Sequence, residues 1–160
     1  AAPLIEGGTG SASLAQEMPD FLPDRLEAGT HNMPGIAGLE QGMRFVRQKG
    51  ERIERYERTL IARASERLRS MKGVTVYTAQ DASAQAGVLS FTVDGMDPEE
   101  TADALARHGI ALRAGLHCAP CAHRTAGTLP AGTVRLSVSA FNSAADIDGF
   151  LLALHSILRR

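Results

Sequence analysis

A chain of 160 residues, 44% hydrophobic and 22% charged, is the size of one domain and can bury a core of its own. Its formal charge of −1 gives no reason to expect a nucleic acid or an anionic membrane as partner, no apolar run is long enough to span a bilayer, and the first residues do not resemble a signal peptide. Two cysteines three residues apart exclude a disulfide-rich scaffold and make a reducing cytoplasm the expected setting.

The chain opens Ala1-Ala2-Pro3 without a methionine, so processing or excision from a longer protein is expected. It holds 15 arginines and two lysines, Lys49 and Lys72, which narrows the chemistry available to it. Residues 1–30 have no apolar period; glycine breaks and Pro19 and Pro23 predict an extended segment that lies on another surface. From Pro34 onward Ile36, Leu39, Met43 and Val46 recur at helical spacing, predicting an amphipathic helix over 34–49. Gly35, Gly38 and Gly42 suggest close packing along one side of it, and Gly50 is expected to end it. A second helix, 51–71, places Ile53, Tyr56, Leu60, Ala64, Leu68 and Met71 on one face, with Glu51–Arg55 and Glu54–Arg58 pairs on the wet side, and Gly73 closes it.

Strands are predicted at 74–77 and 87–93, the latter turning Leu89, Phe91 and Val93 to one face. Asp97-Pro98-Glu99-Glu100 is a helix start, and Gly109 is its stop. A short strand at 110–113 and an alternating one at 133–139 follow; Val134, Leu136 and Val138 share one face of the latter and Arg135 the other. Ser143 and Asp146 cap a last helix, 144–159, whose core face is Ile147, Phe150, Leu151, Leu154 and Leu158. The predicted order ααββαββα describes a two-layer α+β domain, a mainly antiparallel sheet with helices on one face.

The stretch LRAGLHCAPCAHRTAGT, residues 112–128, carries both cysteines and two of the five histidines. Cys118-Ala-Pro-Cys121 has the form of a redox dithiol, but the sequence after Cys121 is a poor helix former, whereas a redox dithiol needs a helix starting at its first cysteine. With His117 and His123 it has the donors of a zinc site, but one short loop wraps a tetrahedron poorly and no second pair of ligands follows. Haem attachment fails because Ala122, not histidine, follows Cys121. A single nucleophile is the third reading: Cys118 follows a strand end in a glycine-containing turn, with Arg113 and His117 nearby and Arg135 on an adjacent strand, and cationic neighbours favour a thiolate.

Four segments in register, PLIEGGTGS, FLPDRLEAGTHNMPGIAGL, RAGLHCAP and GTVRLSVSAFNSAADID, resemble the carboxy-terminal part of the class V aminotransferase-fold enzymes, in the branch of the pyridoxal-phosphate-dependent cysteine desulfurases. The resemblance implies conversion of L-cysteine to L-alanine with the sulfur left as a persulfide on Cys118. It implies Arg135 as the grip on the substrate carboxylate, Arg113 as a second arginine beside it, and Thr30 as a contact to the cofactor phosphate across a homodimer interface. Gly7, Gly8 and Thr9 would border the neighbouring active site, and His117 and Cys121 would be auxiliary to Cys118. A related enzyme such as a selenocysteine lyase, or a non-enzymatic thiol- or zinc-binding module around Cys118 and Cys121, remains as an alternative.

Two departures stand out. The family pattern Gly-Thr-Pro-Asn is here Gly29-Thr30-His31-Asn32, and Cys121 stands where an apolar residue is expected. Neither lysine has a cofactor-binding context, so residues 1–32 are expected to be the remnant of a large cofactor domain and 33–160 the C-terminal domain of a fold-type I enzyme. The resemblance implies pyridoxal phosphate and a homodimer for the full-length parent, with a sulfur-acceptor protein as a further partner. Alone, the chain is expected to bind no cofactor or metal and to be inert.

Overall fold

One helix, α1 (Met33–Arg69), runs where two were expected. Gly50 does not break it, because a glycine inside a helix costs only about 1 kcal/mol relative to alanine and strong helix formers flank it on both sides. At its start the Asn32 side chain accepts a hydrogen bond from the Gly35 N–H (3.0 Å), filling one of the orphan donors of the first turn.

The computed structural model describes residues 2–159 and divides into two compact units, Ala1–Gln48 and Lys49–Arg160, the division falling inside α1. In the first unit the segment before α1 is irregular, with one 3₁₀ turn at Asp24–Leu26. Leu4, Ile5, Leu14 and Leu22 are exposed there, and so are Ile36, Leu39, Met43 and Val46 on α1. Among the described residues nothing outside the adjacent helix backbone lies within 4 Å of where the Cβ of Gly38 or Gly42 would be.

The second unit is built on four strands: β1 (Val74–Tyr77), β2 (Val88–Val93), β3 (Arg113–Gly115) and β4 (Thr133–Ser137). They form one antiparallel sheet in the order β1-β2-β4-β3. Register sets Leu89 opposite Leu136 and Phe91 opposite Val134, so one face of the sheet is apolar and the other carries Ser90, Arg135 and Ser137. Against the apolar face pack Leu60, Ile61, Ala64 and Leu68 of α1, Leu105 of α2 (Pro98–Ala106), and Ile147, Phe150, Leu151 and Leu154 from the C-terminal helix. Phe91 and Phe150 meet with tilted rings 5.7 Å apart, and burying such a side chain contributes about 1.5–3 kcal/mol. This is the expected two-layer α+β arrangement.

Two further differences from the sequence reading lie beside the cysteines. β3 begins at Arg113 rather than Ile110, and a short helix, α3 (Pro120–Ala126), occupies a stretch read as non-helical. The last helix, α4 (Ala144–Leu158), has the expected capping box: Ser143 accepts from the Asp146 N–H and Asp146 accepts from the Ser143 N–H. Of the expected pairs on α1, Arg58 bonds Glu54, whereas Arg55 donates to the Glu51 carbonyl (3.3 Å). Arg63 instead ties α1 to α4 through a bidentate bond to Asp148, both contacts 2.8 Å.

Candidate active site

Strand β3 ends at Gly115, and the chain then turns sharply through Leu116-His117-Cys118-Ala119. The turn is closed by the Ala119 N–H donating to the Leu116 carbonyl (2.8 Å). Its two central residues, His117 and Cys118, both lie in the left-handed region, with φ of 51° and 59°. That is the pattern of a type I′ turn, ordinarily filled by asparagine and glycine; each side chain held there costs on the order of 1–3 kcal/mol.

Two features oppose the strain. His117 Nε2 donates to the Thr133 carbonyl at the start of β4 (3.1 Å), which anchors the turn to the sheet. β3 and β4 also approach closely at Gly132, where a Cβ would stand 2.3 Å from the Gly115 carbonyl oxygen. Gly132 and Gly115 have φ of 85° and 101°, so glycine is required at both for conformation, and at Gly132 for space as well.

With Nε2 bearing the proton, a neutral His117 leaves a lone pair on Nδ1, which is buried and has no partner among the described residues. Burial, then the positive charge of Arg135, holds the imidazole pKa below its ordinary value; His123 and Arg113 act the same way and the Thr133 carbonyl opposes them. The His123 ring lies 5.8 Å away at a tilt of 45°. It is buried inside α3 and bonded through Nδ1 to the Thr128 hydroxyl (2.7 Å). Gly127, in the left-handed conformation, ends α3, and the Thr128 N–H returns to the His123 carbonyl (2.9 Å).

Cys118 is exposed on the turn, Cys121 is exposed in the first turn of α3, and the two are not joined. Arg113 and Arg135 are direct partners in the β3–β4 ladder, and the Arg135 Nε is buried without a bond among the described residues. No Asp or Glu occurs between Asp103 and Asp146, a stretch that carries Arg107, Arg113, Arg124 and Arg135. The loop and the strand end thus set two cross-strand arginines near two exposed cysteines, an arrangement suited to holding an anion. Among the described residues no cluster of three or more His, Cys, Asp or Glu side chains is arranged to hold a metal ion.

The remaining residues of interest belong to the first unit. The Gly29 N–H donates to the Gly8 carbonyl (2.8 Å), bringing the Gly7-Gly8-Thr9 segment beside Thr30. Thr30 is exposed, and Thr9 shares a hydrogen bond with Ser11 (2.8 Å). His31, at the position where proline was expected, lies 3.0 Å from Glu27. A hollow of about 580 Å³ is lined by Gly7, Gly8, Thr9 and Ser13. The turn strain, the His117–Thr133 tie and the buried His123 went unread in the sequence; the only available signal was the pair of glycines, Gly115 and Gly132, flanking the loop. Among the described residues no helix is long and apolar enough to cross a membrane.

A family model for class V aminotransferases matches residues 1–150. A probable cysteine desulfurase of Mycolicibacterium paratuberculosis is 42% identical over 137 residues, covering 84% of this chain and 19% of that protein. One from Pyrococcus abyssi is 35% identical, covering 98% of this chain and 39% of the relative. Among solved structures, the apo cysteine desulfurase of Thermococcus onnurineus superposes with a TM-score of 0.77 at 34% identity, over 98% of this chain and 39% of its own. The chain therefore spans between a fifth and two fifths of the length of these relatives.

Proposed function

Because this chain belongs to the class V aminotransferase family, we propose that it is the C-terminal part of a cysteine desulfurase, in which Cys118 takes the sulfur of L-cysteine. The observation that carries this reading is the strained, exposed Cys118 turn tied to Thr133 beside the Arg113–Arg135 pair. Strain of this kind persists where the surrounding structure holds it, and clusters at functional sites.

Arg135 grips the substrate carboxylate, with its guanidinium fork matched to the two oxygens, and Arg113 adds positive charge from the neighbouring strand. The Cys118 thiolate attacks the substrate sulfur; a sulfur–sulfur bond forms and the carbon–sulfur bond breaks. Pyridoxal phosphate, when bound, supplies the sink for the electron pair left on carbon. Neither lysine suits a covalent anchor for that cofactor, since Lys49 within α1 and Lys72 just beyond its end are both at the surface, so the residues of the cysteine loop suit the substrate side of the site. Thr30, with Gly8 and Thr9 beside it, would reach the cofactor phosphate of a second subunit. Residues 1–32 would belong with the larger cofactor domain and 33–160 with the C-terminal domain, whose two unlinked thiols suit a reducing cytoplasm.

The test uses the protein with its upstream coding sequence restored. Alanine and persulfide formation from L-cysteine, with pyridoxal phosphate bound, is compared with that of Cys118→Ser. Loss of both products with the cofactor still bound is expected; undiminished activity in the variant would refute this role for Cys118.

A further inference from the structure

We propose that Cys121 is a second sulfur-carrying residue, to which the persulfide formed on Cys118 passes its outer sulfur within the same chain. This rests on the reading of Cys118 as the sulfur acceptor. The reaction proposed above uses Cys118 alone, yet the loop presents two thiols, both exposed, unlinked and separated only by Ala119 and Pro120. A cysteine kept for packing is buried and inert; Cys121 is neither buried nor paired.

Both thiols sit on fixed supports. Cys118 occupies the second left-handed position of a turn anchored through His117 to Thr133. Cys121 sits in the first turn of α3, which the buried His123 holds through Thr128, and the Thr125 hydroxyl bonds the Cys121 carbonyl (3.1 Å). Between them Pro120 opens the helix with its φ locked by the ring. The two sulfurs are therefore carried on a short, restrained link. Arg124 on α3, with Arg113 and Arg135, lies in a stretch without a carboxylate.

The exchange balances without any other reagent. The Cys121 thiolate attacks the outer sulfur of the Cys118 persulfide and a sulfur–sulfur bond forms on Cys121. The bond to Cys118 breaks, and its electron pair returns to the Cys118 Sγ as a thiolate. The proton of the persulfide travels with the transferred sulfur, and nothing is oxidised or reduced overall. Cys118 is then free for a second turnover while the first sulfur waits on Cys121. Attack at the inner sulfur would instead expel hydrosulfide and leave a Cys118–Cys121 disulfide.

The experiment uses the full-length protein with pyridoxal phosphate bound and excess L-cysteine, with no thiol reductant or acceptor protein. Reactions are quenched by alkylation, and the tryptic peptide Ala114–Arg124, which holds both cysteines, is fragmented in a mass spectrometer to place each added sulfur. The relay predicts added sulfur on Cys118 at early times and on both residues later, with an alanine burst ~2-fold that of Cys121→Ser or Cys121→Ala. Those two variants should hold sulfur on Cys118 only. Sulfur confined to Cys118 in the unaltered protein, with a burst no larger than in the variants, would overturn the relay and leave the desulfurase reading standing. A Cys118–Cys121 disulfide with released hydrosulfide would overturn it too, in favour of inner-sulfur attack. Absence of alanine and of any sulfur on Cys118 would instead remove the desulfurase reading, and the relay with it.

Discussion

Arg113 and Arg135 stand directly opposite each other in the β3–β4 ladder, and among the described residues neither forms an ion pair. Like charges in that relation destabilise a sheet, by about 0.2–1 kcal/mol for a pair. An anion bound between them would offset that repulsion.

The exposed member can be tested alone. Arg113→Gln should stabilise the chain by ~0.2–1 kcal/mol in chemical denaturation. Arg135→Lys keeps the charge but loses the planar fork, and should lower kcat/KM for L-cysteine in the longer protein by roughly 10–100-fold. An Arg135→Lys enzyme with unchanged kcat/KM would remove Arg135 from substrate binding.

The strain at His117 can be measured by comparing two variants. His117→Ala loses the bond to Thr133 and keeps a Cβ at positive φ, whereas His117→Gly loses the bond and relieves the strain. The glycine variant should be the more stable of the two by about 1–2 kcal/mol. Equal stability would mean that the turn relaxes once the imidazole is gone.

Acid should destabilise the fold through the same residue, because a charged His117 ring is partly buried beside Arg135. Because burial and Arg135 depress the His117 pKa, the unfolded chain takes up a proton at a pH where the folded chain does not. Stability from this source is complete above the unfolded value of about 6.5 and falls progressively below it, levelling only beneath the folded pKa. The denaturation midpoint should therefore drop as the pH falls through about 6.5, and the drop should shrink in His117→Gln. An identical pH profile in that variant would assign the acid sensitivity elsewhere.

Gly132→Ala should be among the most damaging single changes to the second unit. Its Cβ would meet the Gly115 backbone oxygen at 2.3 Å, at a φ of 85°, so β3 must move or the strand pairing must open. A loss of about 3 kcal/mol or more is expected from thermal or chemical denaturation, at the upper end of what single substitutions do.

Gly50→Ala should act in the opposite sense. Among the described residues nothing outside the adjacent helix backbone lies within 4 Å of the Cβ position, and α1 is helical on both sides of it. A gain of about 0.5–1 kcal/mol is expected from the reduced freedom of the unfolded chain. Destabilisation would show that α1 has to bend there.

The sheet was readable because its strands alternate: Leu89, Phe91 and Val93, and then Val134 and Leu136, announce their buried face two residues at a time. Asp97 and Ser143 marked helix starts by the chemistry of their side chains, which is local and needs no partner. Gly50 misled because a glycine's helical cost is small beside the gain of continuing a long helix. α3 was hidden because its seven residues include Pro120 and Thr125, and what holds it is the burial of His123, a tertiary fact. The Cys118 turn was illegible for a similar reason: histidine and cysteine are not residues that ask for positive φ, and the structure imposes it through Thr133. The proposed site residues Arg113, His117, Cys118 and Arg135 fall together on one strand pair and its loop, while Gly29, next to Thr30, bonds Gly8 within the first unit.

The stretch between Asp103 and Asp146 has a meaning beyond the contacts made in it. Its four arginines give it a formal charge of +4, leaving −5 for the rest of a chain whose total is only −1. Near-neutrality thus conceals an uneven distribution of charge along the chain, with the cysteine loop inside its carboxylate-free, cationic stretch, which would attract small anions to it. Encounter rates with anionic reactants should consequently fall as salt is raised, over a range set by a Debye length of about 10 Å at 0.1 M.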